Sequence, residues 1–264
     1  MAAPLYKDIS KKAENVLGDD YDYSRKLKIK TKTANGVTFT TEGAMAANKS
    51  ILAKVGANFR VPQVGGLTIS KLQATTAGRV LVEGDIANAI VDNLKVSFKL
   101  EDGSRKTNAK QVGKLGLEYK QAAFTTNVEA DITGKNVTGA AKSAVSDFGG
   151  ALAFSGADYQ VSVASKKSLK TVAANFYHKP CSSTIYAASI NYDVQTAANA
   201  VTLGGRYTAN AETTYAGKIN SDGFVSLACI QKVTPFLSLT TSAHIDAKHF
   251  EGDAHKFGLG LTIG

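Results

Sequence analysis

Tryptophan is absent, and cysteine and proline are scarce: the 264 residues include 2 Cys and 4 Pro. Two thiols, Cys181 and Cys229, cannot build a disulfide framework or a four-cysteine zinc site. No run reaches the roughly 18–20 consecutive apolar residues that a membrane helix needs, so a helical membrane protein is not expected. The first residues lack the charged start, apolar middle and small-residue cleavage site of a secretory signal. Met1-Ala2-Ala3-Pro4 leads straight into Lys7, Asp8, Lys11 and Lys12, and bacterial Sec export is not expected. Acidic residues are outnumbered, 22 against 31 Lys plus Arg, for a formal net charge of +9. Hydrophobic content of 44% excludes compositional disorder.

One segment has helical spacing. Leu5, Tyr6, Ile9, Ala13, Val16 and Leu17 share a face, and Lys7, Asp8, Lys11, Lys12, Glu14 and Asn15 cover the other. Pro4 suits a helix start and Gly18 a stop. This predicts a helix over Leu5–Leu17. After Tyr23 the period becomes two. Lys26 to Thr33 alternates without a break, and Asn35-Gly36 reads as a two-residue hairpin turn. Leu94, Val96, Phe98 and Leu100 alternate with Lys95, Ser97, Lys99 and Glu101. Leu115, Leu117 and Tyr119, then Phe124 to Ile132, Leu237 to Ile245 and Phe257 to Ile263, repeat the pattern. Some 18 segments of roughly 8–11 residues can be drawn, with weak ones near 137–155. That length suits a tilted strand crossing a bilayer. No helix-length segment separates the strands, which excludes a parallel βαβ architecture.

Alternation alone also fits a soluble sandwich, but two features favour a membrane barrel. Ala, Gly, Thr and Val share the apolar face with Leu and Phe. A core must be filled by volume, whereas lipid chains conform to a thinly apolar surface. The chain is also one uninterrupted meander, and closure would remove its edges. The expected fold is all-β: a transmembrane antiparallel β-barrel of about 18–19 strands with the N-terminal amphipathic helix inside the pore. Its organisation would be helix and hinge over 1–24 and barrel over 25–264. The polar face would line a wet lumen with Lys26, Lys28, Lys30, Lys32, Lys54, Lys95, Lys99, Lys114, Lys120, Arg206, Lys218 and Lys256. Fewer acids share it, and such a bore would favour anions. Lys7, Lys11 and Lys12 on the helix would narrow the pore and set selectivity. Lys11, Lys12 and Lys95 would contact nucleotide phosphates weakly, as no glycine-rich phosphate loop is present.

The two ends of the chain resemble the eukaryotic mitochondrial porins, the voltage-dependent anion channel family. Leu5-Tyr6-Lys7-Asp8-Ile9-Ser10-Lys11-Lys12-Ala13 resembles the family's opening. Lys30-Thr31-Lys32-Thr33 and Asn35-Gly36-Val37-Thr38-Phe39-Thr40-Thr41 are similar to its first hairpin. Asn93-Leu94-Lys95 stands where Gly-Leu-Lys is usual. Tyr207 through Leu227 follows its signature, with Gly217-Lys218-Ile219-Asn220-Ser221 intact and Asn210 in place of Asp. His255-Lys256-Phe257-Gly258-Leu259-Gly260-Leu261 resembles its closing strand. The resemblance implies a 19-stranded barrel in the mitochondrial outer membrane, voltage-dependent, passing ions, ATP and ADP. The chain departs from the family in a deficit between about 133 and 160, in Asp20-Tyr21-Asp22-Tyr23-Ser24 where a glycine-rich hinge is common, and at Glu14. Ser70 replaces a membrane-facing Glu linked to kinase docking, so that partner is not expected.

The expected partners are the lipid bilayer, anionic metabolites and nucleotides, with homo-oligomers or other mitochondrial membrane proteins as candidate neighbours. Nucleic acid is not expected, because aromatics do not interleave with Lys on one face. No nucleophile elbow or acid–base carboxylate pair stands out. His178, His244, His249 and His255 have no acidic or Cys partner at ligand spacing. Neither catalysis, a cofactor nor a metal is expected, and both cysteines read as packing or lipid-face residues. The nearest alternative is the protein-translocating β-barrel of the same membrane, against which the lysine-lined face and immediate helix argue.

Overall fold

The structure is a computed structural model describing residues 8–46, 49–88, 91–102, 111–120, 125–132, 150–166 and 169–264. Two compact units compose the chain. The first comprises Met1–Leu5, Lys26–Lys142 and Thr262–Gly264, the second Tyr6–Arg25 and Ser143–Leu261.

The first unit is built on β1 (Arg25–Lys32), β2 (Thr38–Met45), β3 (Ile51–Val61), β4 (Leu67–Thr75), β5 (Val80–Ala87), β6 (Leu94–Asp102), β7 (Val112–Lys120) and β8 (Thr125–Asp131). From β2 to β8 each strand pairs antiparallel with the next. β1 and β2 also pair, joined by a turn in which Gly36 N donates to Thr33 O at 3.0 Å and Thr33 N to Val37 O at 2.9 Å. Only Gly36 is left-handed there, with φ +80°. A two-residue type I′ turn needs positive φ at both central positions. The expected Asn35-Gly36 turn is therefore the tip of a three-residue loop, Ala34 to Gly36.

The second unit opens on α1 (Lys11–Gly18). It continues with β9 (Ala151–Ser155), β10 (Tyr159–Lys166), β11 (Thr171–His178), β12 (Thr184–Asp193), β13 (Asn199–Thr208), β14 (Thr213–Asn220), β15 (Phe224–Thr234), β16 (Leu237–Asp246) and β17 (Lys256–Ile263). From β9 to β16 the strands again pair antiparallel in sequence order. Seventeen strands thus stand among the described residues. The weak segments on which a count of 18 or 19 turns fall mostly within 133–149, outside them. α1 is shorter than expected: residues 8–10 form a single 3-10 position and a bend. The ladder starts with Glu14 N donating to Ser10 O at 3.0 Å, which puts Ser10, a residue suited to helix N-termini, at the cap. Leu5, Lys7 and the proposed Pro4 start lie outside the described residues.

Large apolar residues point away from the protein. Leu203, Ile219 and Leu227 are 52%, 47% and 50% exposed on adjoining strands β13 to β15. Their alternate neighbours, which face the other way, are small or polar: Ala187, Ala216, Ser226, Ala228 and Ser242 are buried. This arrangement is the reverse of a soluble sandwich. A row of tyrosines bounds the apolar zone at one end. Tyr207 lies opposite Tyr215 and opposite Thr184, two residues from Tyr186, and all three tyrosines are about half exposed. An exposed apolar band edged by aromatic residues is the surface that a bilayer and its interface match.

The expected consequence is one-sided. Leu203→Lys should cost about 2–4 kcal/mol of folding free energy in lipid vesicles. Asn191→Lys, on the opposite face of β12, should fall within about 0.5 kcal/mol. Denaturant titration of vesicle-inserted protein reads both, and equal costs would contradict the assignment of the faces.

Candidate functional site, a helix docked on a polar face

α1 lies on the polar side of β11, β12 and β13. Ala13, Val16 and Leu17 pack with Ala187, flanked by Tyr177 and Ile185. The seat is shaped by an absent side chain: a Cβ on Gly204 would come 2.8 Å from Leu17 Cδ2. The outward helix face carries Lys11 and Lys12, both exposed. Lys11 Nζ pairs with Asp8 at 3.3 Å. Lys12 Nζ lies 5.6 Å from the centre of the Tyr177 ring, within cation–π range.

The chain beyond α1 is tacked down residue by residue. Gly18 ends the helix as expected, but the reversal falls to Asp20, with φ +70°, a region that Asp tolerates better than most. Arg206 Nη2 holds Asp20 Oδ2 at 2.9 Å. Lys218 Nζ donates to Leu17 O at 2.6 Å and sits 4.3 Å over the Tyr21 ring. It thereby satisfies a carbonyl of the last helical turn and complements the negative end of the helix dipole. The Tyr23 hydroxyl donates to Ser226 Oγ at 2.8 Å, and Ser226 Oγ lies 3.0 Å from His244 Nδ1. Ser242 donates to Asp22 O, and Leu259 N to Ser24 O at 3.1 Å. A Cβ on Gly258 would strike Asp22 O. The segment from Asp19 to Ser24 is thus a fixed strap.

Tyr21 is the exception within this network. Its hydroxyl is buried without a hydrogen-bond partner among the described residues. Burial, partly opposed by Arg206, pushes the phenol up to about 12, so it stays neutral.

The remaining basic residues fall into paired and unpaired groups. Lys26 and Lys54 share Glu42 at 3.3 and 3.1 Å. Lys95 meets Asp85 at 3.4 Å, and Lys99 meets Glu83 at 3.2 Å and Glu101 at 3.9 Å. Arg79 also pairs with Glu101. Lys114 stands opposite Lys99 in register. Lys120 closes β7, its side chain outside the description. Lys28, Lys30, Lys32 and Lys256 form no ion pair among the described residues. Lys95 belongs to the first unit, Lys11 and Lys12 to the second. Two of the expected polar-face cations also hold partners: Lys218 anchors the helix and Arg206 clamps the strap.

Two histidines also differ from expectation. His178 Nε2 lies 3.0 Å from Asp158, 20 positions away, and His249 Nδ1 lies 3.1 Å from Asp246, three positions before it. No group of three metal-ligating residues occurs among the described residues. Cys229 faces the tyrosine row opposite Tyr215, as a lipid-face residue would. Cys181 instead lies exposed in the β11–β12 loop. Its Sγ is 3.3 Å from Ser183 Oγ, and hydrogen bonds from Ser183 and Thr184 bring the thiol down to about 7.

The family model described as eukaryotic porin matches residues 2–146 and again 134–258. The chain belongs to the eukaryotic porin family. Among similar proteins are those named "Non-selective voltage-gated ion channel VDAC3" from Oryctolagus cuniculus and Homo sapiens, each 28% identical over 290 residues, with 98% of both chains covered. "Non-selective voltage-gated ion channel VDAC1" of Sus scrofa is 26% identical over 288 residues, again across 98% of each chain. Membership explains the reversed faces: porins are membrane β-barrels whose lipid side is apolar and whose interior is polar. In this porin the helix therefore sits on the side that faces away from lipid.

Lys218→Gln should loosen the helix by about 1.5–3 kcal/mol, the worth of a hydrogen bond from a charged group. Faster amide exchange over 11–18 would report it. Tyr21→Phe removes only the unpartnered hydroxyl and should leave exchange equal or slower. A loosened helix in Tyr21→Phe would contradict the burial described. Cys181 should alkylate with a half-maximal rate near pH 7, while Cys229 in lipid should stay unlabelled at that pH. An ordinary thiol midpoint of about 8.5 at Cys181 would remove the Ser183 and Thr184 hydrogen bonds from the account.

Proposed function

We propose that this porin is a voltage-gated, anion-preferring channel of the mitochondrial outer membrane, passing ions and small metabolites such as ATP and ADP. The observation that carries this reading is a basic helix fastened to the polar face of a sheet whose opposite face is apolar and exposed. A barrel of this many strands cannot be filled by its own side chains. The polar face therefore lines water, and the helix occupies part of the cross-section. The names of the relatives, which speak of voltage-gated ion channels, point the same way.

Ion preference follows from which cations keep their field. A paired lysine presents a dipole to a passing ion; an unpaired one presents a charge. Among the described residues Lys12 has only a ring beneath it, whereas Lys11 shares its charge with Asp8. Lys28, Lys30 and Lys32 keep theirs as well. Lys95 and Lys99 are largely spent on Asp85, Glu83 and Glu101, so the contribution of Lys95 to nucleotide contact is small beside that of Lys12. The resulting preference is mild, as expected of a wide pore with a partly compensated wall.

Reversal potentials of purified channels in planar bilayers under a KCl gradient test this ranking. The native channel should favour chloride. Lys12→Glu should lower the chloride-to-potassium permeability ratio by on the order of twofold, and Lys11→Glu by less. A ratio untouched by Lys12→Glu would reject the helix as a selectivity element, and an absence of conductance would reject the channel.

A further inference from the structure

The first unit holds a second concentration of positive charge, separate from the helix. A recess of about 270 Å³ opens on the polar side of β1 to β4, lined by Lys28, Lys54, Lys71, Thr38, Thr40 and Glu42 among others. We propose that it is a binding site for oligophosphate: pyrophosphate, or the phosphate chain of a nucleotide.

Three observations support a shaped site rather than a stretch of charged wall. The strands bounding the recess are irregular where they meet it. The β3–β4 register shifts between Ala57 and Phe59, and the β4–β5 register shifts between Ile69 and Lys71. Bulges re-aim side chains and bend the bulged strand, and here they carry Lys71 to the rim. The floor is kept open by Gly56, where a Cβ would come 2.9 Å from Leu72 O. Across from it in register stands Thr40, with Thr38 opposite Asn58, so two hydroxyl donors project from β2 beside the glycine.

Charge is organised around one acid. Glu42, with its side chain 12% exposed, is held at 3.3 Å by Lys26 and at 3.1 Å by Lys54. It fixes those two ammonium groups in place yet cancels only one charge. Lys28 and Lys71 have no ion pair among the described residues. Three cations and one carboxylate line the recess, and Glu83, opposite Lys71 in register, is held by Lys99; the surplus is one that a single chloride cannot match and a chain of phosphates can. Lysines bind phosphate as point charges without demanding a planar fork. The lining contains no aromatic residue, so a nucleobase finds nothing to stack on. Recognition is of the phosphates, and the nucleoside is a passenger.

The inference rests on the reading of this face as water-filled, and it deepens the proposed metabolite passage by adding a resting place on the wall. Binding is measured without conduction, so the two can fail separately. Phosphorus NMR line broadening of pyrophosphate, titrated with the full chain in lipid nanodiscs, gives the affinity directly. The native protein should bind pyrophosphate and ATP within threefold of each other, and adenosine not at all. Lys28→Gln with Lys71→Gln should weaken pyrophosphate at least fivefold, while Lys28→Arg with Lys71→Arg retains it. Glu42→Gln should tighten binding. A second measurement needs no variant: pyrophosphate should protect Lys28 and Lys71 from acetylation by a lysine-selective ester, and leave Lys232 on β15 unprotected. Equal modification with and without pyrophosphate overturns the site, as does unchanged binding in the double Gln variant. ATP binding much tighter than pyrophosphate overturns the assignment to phosphate. Binding without conductance leaves the site standing and removes the channel.

Discussion

Backbone hydrogen bonding in hydrocarbon is the constraint on which the rest of this protein depends. A strand in lipid cannot leave its N–H and C=O groups to water, so every one must find a neighbouring strand. Antiparallel ladders meet that demand and fix a side-chain period of two, because successive residues point to opposite faces. The sequence then only has to supply apolar residues on one phase and polar or small residues on the other. That is why Leu203, Ile219 and Leu227 are exposed while Ala187, Ser226 and Ser242 are buried. Among the described residues, volume filling, which governs soluble cores, acts where the helix and the strap lie against the sheet. There the wall becomes small, with Gly204 as the extreme case.

The same period of two organises the electrostatics. Polar-face residues on adjacent strands are neighbours, so a lysine of one strand meets an acid of the next. Glu42 with Lys54 is such a pair in direct register, and Lys99 with Glu83 another. The sheet thus compensates part of its own charge locally. Among the described residues, those without an ion pair include Lys12 on the outer helix face, Lys28, Lys30 and Lys32 on β1, and Lys71 beside the recess. A net charge of +9 overstates the field that any one ion would meet.

The alternation from Lys26 onward, the β6 pattern at Leu94 to Leu100 and the final strand could be read directly, because each depends only on neighbouring residues. The helix face was legible for the same reason, with Ile9, Ala13, Val16 and Leu17 buried and Lys11 and Lys12 exposed. The helix start was not, because Ser10 falls inside the helical pattern yet stands at the cap position without a side-chain capping bond. Long-range partnerships were also hidden. Lys218 reads as one more polar-face lysine until the fold brings it to Leu17 O, 201 positions away. Arg206 is likewise committed to Asp20, which periodicity cannot foresee. Register shifts near Ala57 and Ile69 leave no mark on an alternating pattern, so the recess they shape was invisible even though Lys28 and Lys54 were already candidates.

The strap from Asp19 to Ser24 also sets an order of assembly. Its carbonyls are received by Ser242 on β16 and by the amide of Leu259 on β17, both near the far end of the chain. The strap has no complete seat until a segment 220 positions later has been laid beside it. Docking of the helix is therefore a closing event in folding, and an incompletely inserted chain would display its amphipathic N-terminus unattached, a molecular signal that the sheet is unfinished.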